Sequence, residues 1–527
     1  MSQGQFDTDV VIIGSGFGGS VSALRLSERG YRVRVLEKGK RFDKEDFPTS
    51  NWDVRKWMWQ PEVGLRGIFQ MSFMQHVTVL HGVGVGGGSL VYANTLPVPK
   101  DNFFKAASWA HLADWKAELA PHYDTARRML GAAKNPLLTR GDEVLREIAR
   151  DLGREEHFHT TDVAVFFGKP GVSVPDPYFG GAGPDRTGCN FCGACMTGCR
   201  VGAKNTLDRN YLYLAEQKGA VVHPETEVTS VRPLPGGGYR VEAQRTFGGE
   251  VTPITTRMVV FAGGVMGTVP LLLSLREDPH ALPHLSARVG DQVRTNSEAL
   301  AGVLVPDPDA NFSKGVAITS ILHTDDHSHI EPVRYAEGSG FFRMMVLPQT
   351  QGPTLTSRVA GVVRNVASNP LAWLRAYTVR DFARQSQVLL YMRTLEGTLS
   401  MRLGRGVRTG FRRGLITKLD DPASAPQANL PEAIELAQRF ADKVGGVSAT
   451  LLTDTVLGVP TTAHILGGAT IGKDADSGVI DAKHRVFGYE GLYVCDGSAV
   501  SANPGVNPSL TITAMSERAM SMIPALG

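Results

Sequence analysis

Apolar residues fall in short runs along this chain, and the spacing between runs changes from one region to the next. The run DVVII at 9–13 reads as a short buried parallel strand. GSGFGG follows, then a helix from about Gly18 to Arg29 that Gly30 ends, and a second strand, YRVRVLE, closing at Glu37. Strand, turn, helix and strand make one βαβ unit. Strand signals return at 219–232 and at 258–262, where MVVFA runs into Gly263 and Gly264. The chain closes much as it opens, with the strand GLYVC at 491–495, then Asp496-Gly497, a loop, and a helix from about Pro508 to Ile523. Between these ends, 41–75 is aromatic without clear period and 113–132 reads as helix. Residues 134–188 read as loop, and 306–455 as strands mixed with basic apolar helices. No apolar run reaches the roughly 18 residues that would span a bilayer.

The glycines give the first unit a chemistry. Gly14, Gly16 and Gly19 form GxGxxG between strand and helix. The first allows the tight turn, the second lets a pyrophosphate approach, and the third lets the helix pack on the strand. The helix N-terminus offers unpaired N–H groups to phosphate. Glu37, at the end of the second strand, is placed for ribose hydroxyls and disfavours a ribose phosphate, which argues against NADP. A second set of close-approach features lies far downstream. A helix beginning near Pro508 would aim partial positive charge at a ring that gains negative charge on reduction. Two sets suit the longer FAD better than NAD.

Length and charge narrow the class. The 527 residues are enough for two interwoven domains. A formal net charge of +3 is too small to point to nucleic acid. The opening MSQGQFDTD has neither the basic nor the apolar stretch of a secretory signal, so a cytoplasmic protein is expected. Of five cysteines, Cys189, Cys192, Cys195 and Cys199 are crowded together, and Cys495 stands alone.

Five ordered blocks carry a family resemblance: VVIIGSGFGGSVSALRLSERGYRVRVLEKGKRF, HGVGVGGGSLVYANT, FAGGVMGT, AHILGGATIG and GLYVCDGSAVSANPGVNPSLTITAMSERAM. Through them the chain resembles the glucose–methanol–choline (GMC) oxidoreductases, in their cholesterol-oxidase-like branch. The resemblance implies an α/β fold, with a Rossmann-type FAD-binding domain built from discontinuous segments and a mixed α+β substrate-binding domain. The segments 5–40, 76–100, 205–305 and 456–527 would form the first domain. Segments 41–75, 101–204 and 306–455 would form the second, with the Cys-rich stretch 189–199 inside it.

By position, the resemblance implies cofactor contacts from Gly14, Gly16, Phe17, Gly18, Gly19 and Glu37. It extends them to Gly86, Gly87, Gly88 and Ser89, to Val228 near the adenine, and to Asp496 and Gly497 near the ribityl chain. Tyr92 stands where the family usually has Asn, and Asn94, two residues on, would share its face of a strand. His464, in AHILGG, is implied as the base or hydrogen-bond partner of the substrate oxygen, and Asn507 as a polar contact to that oxygen and the flavin. Glu331 and Glu337 are the candidates for a carboxylate near the hydroxyl. The implied activity is oxidation of an alcohol on a bulky apolar substrate, such as a sterol or long-chain alcohol, with hydride passing to FAD.

The cysteines leave a choice open. Cys189-x2-Cys192-x2-Cys195-x3-Cys199 has the spacing of a bacterial ferredoxin, although the x3 cysteine of a two-cluster ferredoxin serves the other cluster and no second set occurs here. One iron–sulfur cluster, reduced thiols and a disulfide all fit. A cluster would favour a dehydrogenase feeding a protein or quinone over an oxidase feeding O2; a non-enzymatic electron-transfer flavoprotein is the remaining alternative. FFRMMV at 341–346 and the stretch 371–391 supply an apolar substrate lining. From 371 to 413 there are nine Arg and no Lys. Read as a helix, such a stretch suits either docking on an anionic membrane surface or arginine stems covering apolar surface.

Overall fold

The opening apolar run becomes strand β1 (Thr8–Ile13), buried at every residue, in a computed structural model that describes residues 6–406 and 409–526. Gln5, the expected start of the first segment, and Arg408 lie outside the described residues. Helix α1 (Phe17–Glu28) follows the glycine turn, and β2 (Val33–Leu36) returns parallel to β1. On the other side of β1 lies β3 (Ile254–Phe261), also parallel, with Val10 to Ile13 opposite Met258 to Phe261. Along its outer edge, β3 pairs antiparallel with strand 239–245 near its start and parallel with β4 (Leu492–Val494) near its end. The first sheet is therefore completed by residues almost 500 positions from its first strand. Helix α2 (Val265–Glu277) leaves β3, and α3 (Ser509–Ser521) packs on α1, where Glu517 accepts two hydrogen bonds of 2.7 Å from Arg25.

A second, antiparallel sheet has the order 346–348, 447–451, 299–304, 386–393, 328–333, 320–323, 158–160. Successive side chains of a strand point to opposite faces. Val303, Leu389 and Tyr391 accordingly pack on helices 140–151 and 431–444, while Leu300, Gly302, Leu304 and Leu390 face a cavity on the other side.

Three expectations need correction. Residues 134–188 are not loop throughout: Arg140–Asp151 is a helix, started by a capping box between Thr139 and Asp142 and buried through Val144, Leu145, Ile148 and Ala149. The arginines of 371–413 do not share a helix. Helix 370–377 gives way to strands 386–393 and 398–404, and Arg384, Arg393, Arg402 and Arg413 each pair with a carboxylate. Strand 299–304, grouped by sequence with the nucleotide-binding segments, is hydrogen-bonded within the second sheet, because its alternate residues cover that sheet's two faces.

Candidate active site

A cavity of about 720 Å3 is walled by the ends of β1 and β3 on one side and the free face of the second sheet on the other. Glu37 and Val228 line one end, Gly14, Gly16, Gly87 and Gly88 the middle, and His464 and Asn507 the approach to the second sheet. Several of the glycines leave no room for a side chain, and two show what that achieves. A Cβ on Gly19 would stand 2.1 Å from the Gly14 carbonyl oxygen, and one on Gly87 would stand 2.6 Å from Cα of Gly16. The first contact seats α1 on β1, and the second lets the two glycine loops touch beneath the cavity.

The acids at the nucleotide end are firmly held. Glu37 accepts from the Ser15 N–H (3.1 Å), the Ser15 hydroxyl (2.7 Å) and the Gly39 N–H (2.9 Å). Burial nonetheless raises its pKa, against those bonds. Asp496 accepts from the Gly264 N–H (2.9 Å), the Thr268 hydroxyl (2.5 Å) and the Ser498 N–H (2.8 Å), so it ties the β3–α2 turn to the end of β4. Phe17, Gly18, Asp496 and Gly497 are on the cavity wall. Gly19, Gly86 and Ser89 lie behind it: the Ser89 hydroxyl donates to the Gly86 carbonyl and accepts from the Leu207 N–H.

Asn94 is the residue that asks for a ligand. Its backbone is left-handed (φ 56°), it is fully buried, it lines the cavity, and neither amide atom has a partner. Asn507 Oδ1 is likewise unpartnered. A buried amide without partners costs about 1–3 kcal/mol. A flat heterocycle edged with alternating donors and acceptors, as in a flavin, would satisfy such groups. Tyr92 turns its hydroxyl away, donating to the Asn205 carbonyl at 2.8 Å, and packs edge-on to Phe17.

The reactive end contains an acid that the sequence did not point to. Glu298, buried, accepts at 2.5 Å from Nδ1 of His464 and also from the Ala463 N–H. The carboxylate holds a proton on Nδ1 and leaves Nε2 for other partners. Burial would lower the His464 pKa, but the charge and hydrogen bond of Glu298 outweigh it, and the net shift is upward. Two consecutive left-handed residues, Asn296 and Ser297, turn the chain to bring Glu298 in. Neither is a glycine, so no punctuation announces the turn.

Of the two carboxylates named from sequence, Glu331 lies by this site and Glu337 does not. Glu337 is exposed, with Arg384 at 3.8 Å. Glu331 is fully buried and neither oxygen completes a hydrogen bond. Burial pushes its pKa up to about 8, although the His464 ring and the Asn507 amide favour its charged form in part. That shift favours its protonated form at neutral pH. Beyond it the cavity is apolar, with Leu300, Leu304, Phe342, Phe382, Val388 and Leu390.

The four clustered cysteines are free thiols around a separate, smaller cavity. Among the described residues, no group of three or more His, Cys, Asp or Glu is placed so as to hold a metal ion, and no helix is long and apolar enough to cross a membrane.

Comparisons with known proteins agree with this architecture. Family models described as GMC oxidoreductase match residues 182–280 and 422–516, and one described as an NAD(P)-binding Rossmann-like domain matches 12–42. The chain is 44% identical to a cholesterol oxidase of Mycobacterium tuberculosis, over 99% of this chain and 92% of that protein. It is 42% identical to a cholesterol oxidase of Acinetobacter baumannii, over 100% and 96% respectively. Pyridoxine 4-oxidase from Mesorbium loti shares the fold, with a TM-score of 0.60 at 15% identity over 98% of this chain and 99% of that one. A buried Glu–His pair, a glycine-lined nucleotide cleft and full-length similarity converge: the chain belongs to the GMC oxidoreductase family, enzymes that act on CH–OH groups.

Proposed function

We propose that the large cavity holds FAD along its glycine-lined portion and a sterol-like or long-chain alcohol against its apolar end, and that the protein oxidises the alcohol to a carbonyl. The bound flavin would supply the hydride acceptor. His464 Nε2 accepts the hydroxyl proton as hydride leaves the carbon, and Glu298 stabilises the resulting imidazolium through Nδ1. Asn507 and the protonated Glu331 orient the reacting oxygen. Dioxygen, reduced to hydrogen peroxide, is the acceptor in keeping with the names of the similar oxidases.

The observation that carries this reading is the Glu298–His464 hydrogen bond, set where a polar nucleotide cleft opens onto an apolar chamber. Helix 355–368, which has no buried residue, and helix 370–377 expose Val359, Val363, Leu371 and Leu374 beside Arg364 and Arg375. That mixture suits peripheral contact with an anionic membrane, where an apolar alcohol resides. The test is an anaerobic series of sterols and long-chain alcohols, followed by flavin absorbance. Bleaching by one of them, with colour restored by air, is the expected result. Flavin that no alcohol bleaches would overturn the proposal.

A further inference from the structure

The sequence 189–199 is wound so that all four cysteines border one small cavity, and the backbone accepts unusual conformations to do it. Phe191 (φ 58°), Gly193 (φ 75°) and Gly198 (φ 93°) are all left-handed. The loop is pinned to residues 313–315 by the Gly193 N–H donating to the Gly315 carbonyl and the Gly315 N–H donating to the Phe191 carbonyl. A Cβ on Gly193 would stand 2.2 Å from the Ser313 carbonyl oxygen. None of the four thiols is in a disulfide, and the Phe191 N–H already donates to Cys189 Sγ at 3.4 Å.

A second observation concerns charge. Lys204 also borders this cavity, is 1% exposed, and donates to the carbonyls of Leu90 (3.1 Å) and Cys195 (2.7 Å). Its other close neighbour is the Tyr92 ring, 4.6 Å away. No carboxylate lies within ion-pair distance of it among the described residues. A buried ammonium without an anion is costly, and native proteins pair such groups. The sulfurs, or something bound to them, are the groups of this cavity that could supply the negative charge, with the Asp208 carboxylate farther off.

We propose that Cys189, Cys192, Cys195 and Cys199 hold one cubane-type iron–sulfur cluster, with Lys204 as its buried counter-charge. The alternative four-thiolate ligand is zinc, which draws all its ligands around one ion with bonds of about 2.3 Å. Four-cysteine zinc sites usually draw on two separated C-x2–4-C pairs, whereas these four cysteines crowd into eleven residues. A cluster distributes its cysteines over separate irons, so its ligands stand farther apart, and hydrogen bonds to sulfur belong to the site. The cavity, about 20 Å3, is what remains between the thiols. Metal–sulfur bonds are shorter than van der Waals contacts, so the sulfurs need less clearance from the irons than that space suggests. The site is separate from the alcohol-binding chamber, but Tyr92, which lines the flavin cavity, and Lys204 stand between them.

The full chain, purified without oxygen, is analysed for iron, acid-labile sulfide and flavin. Iron and sulfide in equal amounts, about four of each per chain as a 4Fe–4S core on four cysteines requires, are expected, with an electron paramagnetic resonance signal on reduction or oxidation. Cys192→Ser and Cys199→Ser should each lose iron and sulfide while keeping flavin and the melting temperature of a folded protein. Lys204→Met should retain less cluster, or shift its reduction potential. Should a variant fail to fold, reconstitution of the unaltered chain with ferrous iron, sulfide and dithiothreitol decides the matter. Flavin-loaded protein lacking iron and sulfide both as purified and after reconstitution overturns the proposal, as does zinc, or iron without sulfide. These readouts do not depend on which alcohol is oxidised, so their failure is distinguishable from failure of the proposed alcohol oxidation; a cluster, if found, would favour a protein or quinone over dioxygen as the electron acceptor.

Discussion

Glu298 reaches His464 with a 2.5 Å hydrogen bond, and the consequences of that contact are separable by substitution. His464→Gln should lower turnover by roughly 10²–10⁴-fold while flavin content stays unchanged, measured as kcat on a reactive alcohol. Glu298→Gln removes the charge that raises the His464 pKa. The pH–rate limb belonging to His464 should therefore move to lower pH, with kcat reduced by about tenfold or more; a limb that stays in place would show that Glu298 does not act through the imidazole. Glu331 has a different signature. Its folded pKa of about 8 lies above the ordinary 4.5, so between those values the folded chain binds a proton that the unfolded chain releases. The stability linked to that proton is complete below 4.5 and is lost as pH rises toward 8. The melting temperature of flavin-free protein should fall across that window, and less steeply in Glu331→Gln. Asp454, raised to about 7 by burial, supplies a slope that remains in the variant.

At the scale of elements, α1 owes its position to glycines that cannot carry a side chain. A Cβ on Gly18 would stand 1.5 Å from the carbonyl oxygen of Cys495, so Gly18→Ala must push α1 away from the end of β4. Overpacking of this kind costs about 1–3 kcal/mol or more, and the expected outcome is a lower melting temperature together with loss of bound flavin in gel-filtered protein. Local signals made this part of the fold legible in advance: the run at 9–13, the glycine turn and the stop at Gly30 follow one another in sequence, and strand MVVFA ends in Gly263. Helix 140–151 was not legible, because Pro136 and the surrounding glycines mask a capping box only four residues long. Glu298 escaped for another reason. Its role comes from a turn made by two non-glycine left-handed residues and from a histidine 166 positions away, neither of which leaves a periodic trace. The arginine-rich stretch misled because charge spacing says nothing of where strands begin.

Across the whole molecule, the two sheets divide the work between a polar cleft and an apolar chamber, and the chamber can be altered alone. Val388 lies on the cavity face of strand 386–393. Val388→Trp should raise KM for bulky alcohols by tenfold or more while sparing short ones, as read from paired steady-state measurements. Closure of the first sheet has a wider implication. A chain still emerging from the ribosome with residues up to 490 exposed already carries both glycine loops, yet lacks β4, Asp496 and Asn507. FAD bound as proposed would touch both the opening glycine turn and the segment after β4, and so would act as a clasp between stretches nearly 500 residues apart. At a hundredfold excess over its Kd, such a clasp adds about 2.7 kcal/mol to the folded state, so flavin supply in the cell would govern how much of this protein survives its own maturation.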